Sequence, residues 1–373
     1  MLANGHKHHV ACALVYIGLM FFKLQTVHAE PYLAIQQGLK CMQCHINPAG
    51  GGERNTFGEI FAQNVLPATH IDTGDAVWAG ALNPFINMGG NLRADAEWNQ
   101  VRGQKSLYQF SLEQARVYVS AAMIPDKLIF YVDESLAPGT ASNREAWGQV
   151  WFDDKTWYIK AGQMYLPFGL RLQDQQAFTR EVTGVSMDTP DQGMEIGFEH
   201  GPWDAQLAMT NGTGGSGGNN NGKEFTAQLA HVESWWRLGA GININNSLSI
   251  GQFRAVSVFA GLHTGPVVWL AEMDNVSFPS FGSGNNAART TQNVQLLEAD
   301  WLIRRGHNLK LTAEWLDPRQ GQSHDSQHRL SVVNEYAPVQ FLQVRLGYRQ
   351  SGADQPADAL HQQQAFMELH AFF

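Results

Sequence analysis

From about Gly80 to the C-terminus the chain is a series of stretches about ten residues long, separated by Gly, Asn, Asp and Pro, in which apolar and polar residues alternate. Successive side chains leave a strand in opposite directions, so this pattern is a strand with two unlike faces. In 308–315, Leu309, Leu311, Ala313 and Trp315 take one face, while Lys310, Thr312 and Glu314 take the other. In 342–349, Leu342, Val344, Leu346 and Tyr348 oppose Gln343, Arg345 and Arg349. Leu297, Ala299, Trp301 and Ile303 oppose Glu298, Asp300 and Arg304; Ala115, Val117 and Val119 oppose Gln114, Arg116 and Ser120. A soluble sandwich would alternate too. Aromatics near segment ends, Trp147, Trp151, Trp157, Tyr158, Trp235 and Trp236, suggest interfacial girdles and so favour a membrane. Turns switch between tight, as at Gly201-Pro202, and long and polar, as at 211–222.

These features predict an all-β fold: a transmembrane antiparallel β-barrel over 76–373, with sixteen strands and with fourteen or eighteen as alternatives. The first strand is expected at 81–99, the tenth at 248–261 and the last at 362–373. Glu298, Asp300, Glu314 and Glu368 are expected in the lumen with Arg304, Lys310, Arg345 and Arg349, a mixed and wet interior.

Ahead of the barrel stands Cys41-Met42-Gln43-Cys44-His45. C-x-x-C-H is the attachment site of a c-type haem. Each thiol adds across a haem vinyl group, and the adjacent histidine becomes the proximal iron ligand. The competing readings are a disulfide, a zinc half-site or chance. Zinc would need further ligands at suitable spacing, and no second C-x-x-C exists.

Residues 1–29 read as a signal peptide: a polar start with Lys7, an apolar run from Val10 to Phe22, and small residues at Val27 and Ala29 before the cut. The third cysteine, Cys12, would leave with it. Covalent haem attachment outside the cytoplasm fits such a leader. The chain carries 25 basic and 34 acidic side chains; losing Lys7 and Lys23 takes its net charge from −9 to −11. That argues against nucleic acid as a partner.

Residues 30–75 form a short, mostly helical c-type haem segment, with a helical turn or two over 32–40 and a second helix near 57–62. Between them Asn47-Pro48-Ala49-Gly50-Gly51-Gly52 must turn beside the haem. Its glycines either let backbone approach the porphyrin or form a plain flexible loop. So short a segment cannot bury much core alone, so its Phe57–Phe61 face is expected against the lumen wall. His70, the other histidine between the motif and the first strand, is the leading candidate for the distal ligand. Met88 is the next choice, and Met42 is poorly placed. His324, Asp325 and His328 lie together in a polar loop that is expected to be solvated.

The closing stretch, 367–373, alternates and ends in Phe373, which resembles the C-terminal strand signal of bacterial outer-membrane proteins. Gly162-Gln163-Met164-Tyr165-Leu166-Pro167-Phe168-Gly169 resembles a G-Q-x-x-x-P-F-G segment of the phosphate-selective porin family, which implies a long loop over 171–193 that folds inward. The whole arrangement resembles the fused monohaem cytochrome–porins of the bacterial outer membrane, the iron-oxidising kind. That resemblance implies one covalent haem c held by Cys41, Cys44 and His45, in or beneath the barrel. It implies electron transfer between an extracellular donor or acceptor, with iron as the candidate, and a periplasmic c-type cytochrome or other carrier. The alternatives are a transport porin whose haem segment is a plug or anchor, and a haem-based sensor. No nucleophile–base arrangement or phosphate loop is seen, so whether the chain is an enzyme stays open.

Overall fold

A computed structural model describes residues 30–74, 78–174, 176–214, 221–248, 251–279, 289–355 and 360–373. The expected leader, with Cys12, lies outside the described residues. Two helices come first, α1 (Pro31–Gln37) and α2 (Thr56–Asn64), with a 3-10 turn at Cys41–Gln43 between them. Sixteen strands follow, from β1 (Ile86–Val101) to β16 (Gln362–Phe372), in one closed antiparallel barrel. β1 pairs with β16 from Asn91↔Phe372 to Val101↔Gln362, so no strand is left with an open edge in lipid.

The sixteen expected strands are found, with two late starts. β1 begins at Ile86 because the Asn83 side chain accepts from the N–H groups of Phe85 and Ile86, at 2.9 and 3.0 Å, and holds a turn where the strand was expected. β10 (Phe253–Thr264) starts after Gly251, whose φ of +105° is not a strand conformation.

Each strand separates its faces. On β11 (Val267–Pro279), Val268, Leu270, Glu272, Asp274 and Val276 are buried, whereas Trp269 and Met273 are exposed. Around the wall the exposed set includes Val258, Leu297, Leu311, Leu330, Leu346 and Leu369. Leaving apolar area in water costs about 25 cal/mol per Å². A band of it round a closed barrel is the surface of a protein seated in a bilayer. Tight turns such as Gly201-Pro202 gather at the end that holds both termini of the barrel, the periplasmic end of bacterial barrels.

The girdle expectation holds for only part of its residues. Trp157 and Trp235 are exposed near the periplasmic rim, joined by Trp203, Trp269 and Trp301. Trp147, Trp151 and Tyr158 instead point into the lumen: Trp147 stacks on Tyr131 at 4.8 Å and Trp151 meets Tyr158 edge-on at 4.8 Å. Alternation, not ring chemistry, sets their side. Arg304 is likewise exposed at a turn and is not a lumen charge.

The loop after β5 (Trp157–Met164) turns inward as expected. Its Leu170, Leu172 and Ala177 join Tyr32 and Ile35 of α1 in one buried cluster with wall residues Phe259, Leu270 and Leu296. Its short helix α3 (Phe178–Thr183) packs Phe178 against Val294 and Leu316. The N-terminal segment and this loop therefore share the lumen.

Candidate haem site

α1 opens with Pro31 at its first position and closes at Gly38, whose φ of +64° lets its N–H reach the Ala34 and Ile35 carbonyls. A Cβ at Gly38 would lie 2.7 Å from the Ser234 backbone, so glycine lets the segment seat against a periplasmic turn. The Tyr32 hydroxyl donates to Glu335 Oε2 at 3.1 Å, and Lys40 Nζ donates to Glu199 Oε2 at 2.9 Å. Both carboxylates stand on the barrel wall, on β14 (Gln327–Tyr336) and β6 (Asp191–His200).

In the 3-10 turn the N–H groups of Cys44 and His45 donate to the Cys41 carbonyl at 3.1 and 3.0 Å. This winding brings both cysteines and His45 to one lumen cavity of about 450 Å³. That volume lies within the roughly 300–1,000 Å³ of small-molecule and cofactor sites. Neither cysteine is in a disulfide. Burial raises the pKa of both thiols, Cys41 against the pull of nearby Arg237, so both are protonated at neutral pH.

His45 bridges backbone-to-backbone with Arg54. Burial, then the Arg54 charge, lowers its pKa to about 4, so the imidazole is neutral with a lone pair to give. Its Nδ1 is buried and makes no hydrogen bond.

The 47–52 turn is held, not free. Asn47 is fully buried and donates to both oxygens of Glu145 on β4 (Ser142–Phe152) at 2.9 and 3.1 Å. Gly50, Gly51 and Gly52 follow with φ of +83°, +80° and +65°, a run that only glycine adopts readily. A Cβ at Gly50 would stand 3.2 Å from Cys41 Sγ, and one at Gly52 would stand 2.1 Å from the Tyr131 hydroxyl. Tyr131 Oη accepts from the Glu53 N–H at 3.1 Å, and Glu53 Oε1 accepts from Ser120 at 2.8 Å.

Asn55 caps α2 by accepting from the Gly58 N–H at 3.0 Å. The buried face of α2 is Gly58, Glu59, Ala62 and Gln63, not the aromatic one. Phe57 is 51% exposed, and Phe61 lines the cavity. Arg54, on the segment itself just ahead of α2, pairs with Glu59 at 3.7 Å, so the polar side of the helix turns in.

His70 does not join this group. It is exposed, its Nδ1 donates to the Gln63 carbonyl at 3.3 Å, and it does not line the cavity. Met88 shares the outward face of β1 with Leu92. His324, Asp325 and His328 do not converge either: Asp325 is buried and pairs with Arg319 at 2.9 Å, while His328 stands on β14.

Two arginines that sequence reasoning did not single out complete the cavity wall. Arg171 comes from the inward loop and Arg237 from β9 (Trp236–Asn245). Arg171 Nη1 and Arg237 Nε are buried without a hydrogen-bond partner, and among the described residues neither arginine forms an ion pair. Lumen cations elsewhere are paired: Lys160 with Glu195 at 2.7 Å, Arg93 with Glu368 at 2.6 Å, and Lys310 with Glu30 at 2.8 Å. Two protonated thiols, a neutral histidine and two guanidiniums outside any direct ion pair, with Asp204 near Arg237, around a mostly apolar cavity fit a haem, whose edges carry two vinyls and two carboxylates. The alternation of β9 puts Arg237 inward, but nothing in the sequence showed that it would stand beside the cysteine motif.

Beyond the loop a smaller cavity of about 70 Å³ holds Asp95, Glu97 and Glu113, whose oxygens lie within 4.8 Å of one another. A bulge opposite Arg93/Ala94 leaves Glu113 outside the ladder beside the other two.

No protein-family model and no curated protein matches the chain. Solved structures match its shape. An anion-selective porin from Comamonas acidovorans is 10% identical, over 77% of this chain and 99% of that one, with a TM-score of 0.60. The outer membrane channel DcaP of Acinetobacter baumannii is 13% identical, over 77% and 97%, with a TM-score of 0.60. OprB of Pseudomonas putida is 8% identical, over 78% and 94%, with a TM-score of 0.57. At such identities the likeness is one of fold. The barrel is of the bacterial outer-membrane porin type, and its apolar outer wall is that of a protein seated in that membrane.

Proposed function

We propose that the chain is an outer-membrane electron-transfer protein that carries one covalent haem c inside its lumen. The observation that carries this reading is the convergence of Cys41, Cys44 and His45 with Arg171 and Arg237 on one cavity. A haem bound there supplies a one-electron carrier. Cys41 and Cys44 give the thioether sulfurs, and His45 gives the proximal nitrogen. Arg171 and Arg237 would hold the propionates by charge-assisted hydrogen bonds. Phe168, Leu170 and Phe259 exclude water from the cavity, and the inward loop stands between it and the long-loop side. A periplasmic c-type cytochrome or similar carrier would meet the short-turn end. Iron is the extracellular partner that the cytochrome–porin resemblance suggests.

The second reading is a transport porin whose haem segment serves as plug or anchor. The similarity in shape to an outer membrane channel and an anion-selective porin, taken alone, favours it over electron transfer. One experiment separates the two. Purified full-length protein and the Cys41→Ala/Cys44→Ala variant are compared by haem-stained denaturing gel, redox titration and conductance in planar bilayers. Electron transfer requires staining and a reversible couple in the first, both lost in the second. Equal conductance in both, without a reversible couple in either, supports the transport porin.

A further inference from the structure

The geometry points to His370, on the last strand of the barrel, as the second axial ligand of the haem. This rests on the proposed haem reading and adds to it: the wall, not the segment, completes the iron.

Three histidines line the cavity: His45, His307 and His370. His307 alternates with buried Asn308 and Lys310 on β13 (His307–Asp317), so its ring takes the lipid-side face, where it meets Asn334 and packs edge-on to Tyr336 at 5.8 Å. His370 has the opposite parity. It alternates with exposed Leu369 and shares the inward face of β16 with Glu368 and Phe372.

A short chain of contacts joins His370 to the motif. Arg54, bridged to His45, lays its guanidinium over the Phe372 ring at 4.6 Å. That ring packs on the His370 ring at 4.9 Å. Both histidines thus stand near one arginine and line one cavity.

The surroundings of His370 suit a ligand. Nδ1 faces Gln343 Oε1 at 3.3 Å and Nε2 faces Asn91 Oδ1 at 3.0 Å. A neutral imidazole has one N–H for two carboxamide oxygens, so one nitrogen keeps a lone pair. The usual arrangement at a metal uses one ring N–H on an oxygen acceptor and the other nitrogen on the metal. Gln343, directly opposite His370 on the neighbouring strand, and Asn91 are the two acceptors on offer; the ring proton takes one of them, and the other nitrogen is the donor atom for iron. Among the other candidates, Lys40 is held by Glu199 and the Met187 sulfur is fully buried outside the cavity lining.

The test uses full-length protein in detergent, with electron paramagnetic resonance and optical spectra of the ferric form. Wild type should be low-spin. His370→Ala should turn high-spin, and added imidazole should restore the low-spin signal. His70→Ala and Met187→Ala should leave the spectrum unchanged. Heat-modifiable gel migration checks that the variant barrel has closed, and His370→Gln serves if His370→Ala does not assemble. An assembled His370 variant that stays low-spin overturns the assignment, as does loss of the low-spin signal in Met187→Ala or His70→Ala alone. A wild type without covalent haem is a different failure, that of the haem reading itself.

Discussion

Asn47 donates two hydrogen bonds to the single carboxylate of Glu145, at 2.9 and 3.1 Å, with both side chains sealed from solvent. Asn47 is two residues beyond the motif histidine, and Glu145 is on the barrel wall, so this pair ties the 47–52 turn to β4. Its Oδ1 also accepts from the Ala49 N–H at 3.1 Å, which shapes the turn.

Asn47→Ala should leave the barrel intact and loosen the segment. It strips a buried carboxylate of two donors, and hydrogen bonds to charged groups contribute about 1.5–3 kcal/mol. Limited proteolysis within 30–66 should therefore speed up by about ten- to a hundredfold if opening precedes cleavage. An unchanged cleavage rate would mean that other contacts hold the turn.

The fold was largely legible and the site only partly so, for one physical reason. Period-two alternation fixes which face of a strand a side chain takes, and that placed Glu298, Asp300, Glu314, Lys310 and Arg345 correctly in the lumen. The same rule, applied to Trp147 and Trp151, would have put them inside; the chemistry of the rings pointed the other way. The cavity is different. Cys41, Cys44 and His45 announce themselves by spacing, but Arg171, Arg237 and His370 meet them only because a closed barrel brings β9, β16 and a loop together. Proximity in sequence favoured His70, which the fold leaves in solvent.

Docking of the segment should depend on pH through Glu53. Burial raises its pKa to about 7 from 4.5, with the Ser120 hydroxyl pulling the other way. A folded-state pKa above the unfolded one means that its contribution is fully present below pH 4.5 and is lost as pH rises through 7. Proteolytic protection of the segment should fall between those values. Glu53→Gln should flatten that part of the profile, since the amide stays neutral. A variant whose profile matches the wild type would assign the dependence to another group.

Removing Phe373 should impair assembly. Its N–H donates to the Gly90 carbonyl at 3.1 Å and its carbonyl accepts from the Gly90 N–H at 2.9 Å, which ends the β1–β16 seam. Its ring also meets Trp78 at 6.1 Å. Without it the periplasmic end of β1 keeps unpaired backbone groups, which lipid penalises heavily. The deletion should lower the yield of heat-modifiable barrel in outer membranes, while Phe373→Tyr, which keeps the backbone and the ring, should assemble normally.

The two cavity arginines should set the reduction potential without being needed for attachment. In the proposed attachment the thioethers form on Cys41 and Cys44, so Arg171→Gln/Arg237→Gln should still stain for covalent haem. Reduction adds an electron, and nearby positive charge favours the reduced state. Two charges about 8–10 Å away, at the effective dielectric of about 20 that suits protein sites, shift the midpoint by on the order of 150 mV in total. Removing them should lower the midpoint by that order, read by redox titration of the purified full-length protein. Each single variant should give part of the drop, because Arg171 arrives on the loop and Arg237 on the wall. A double variant with an unshifted midpoint would place the propionates elsewhere in the cavity.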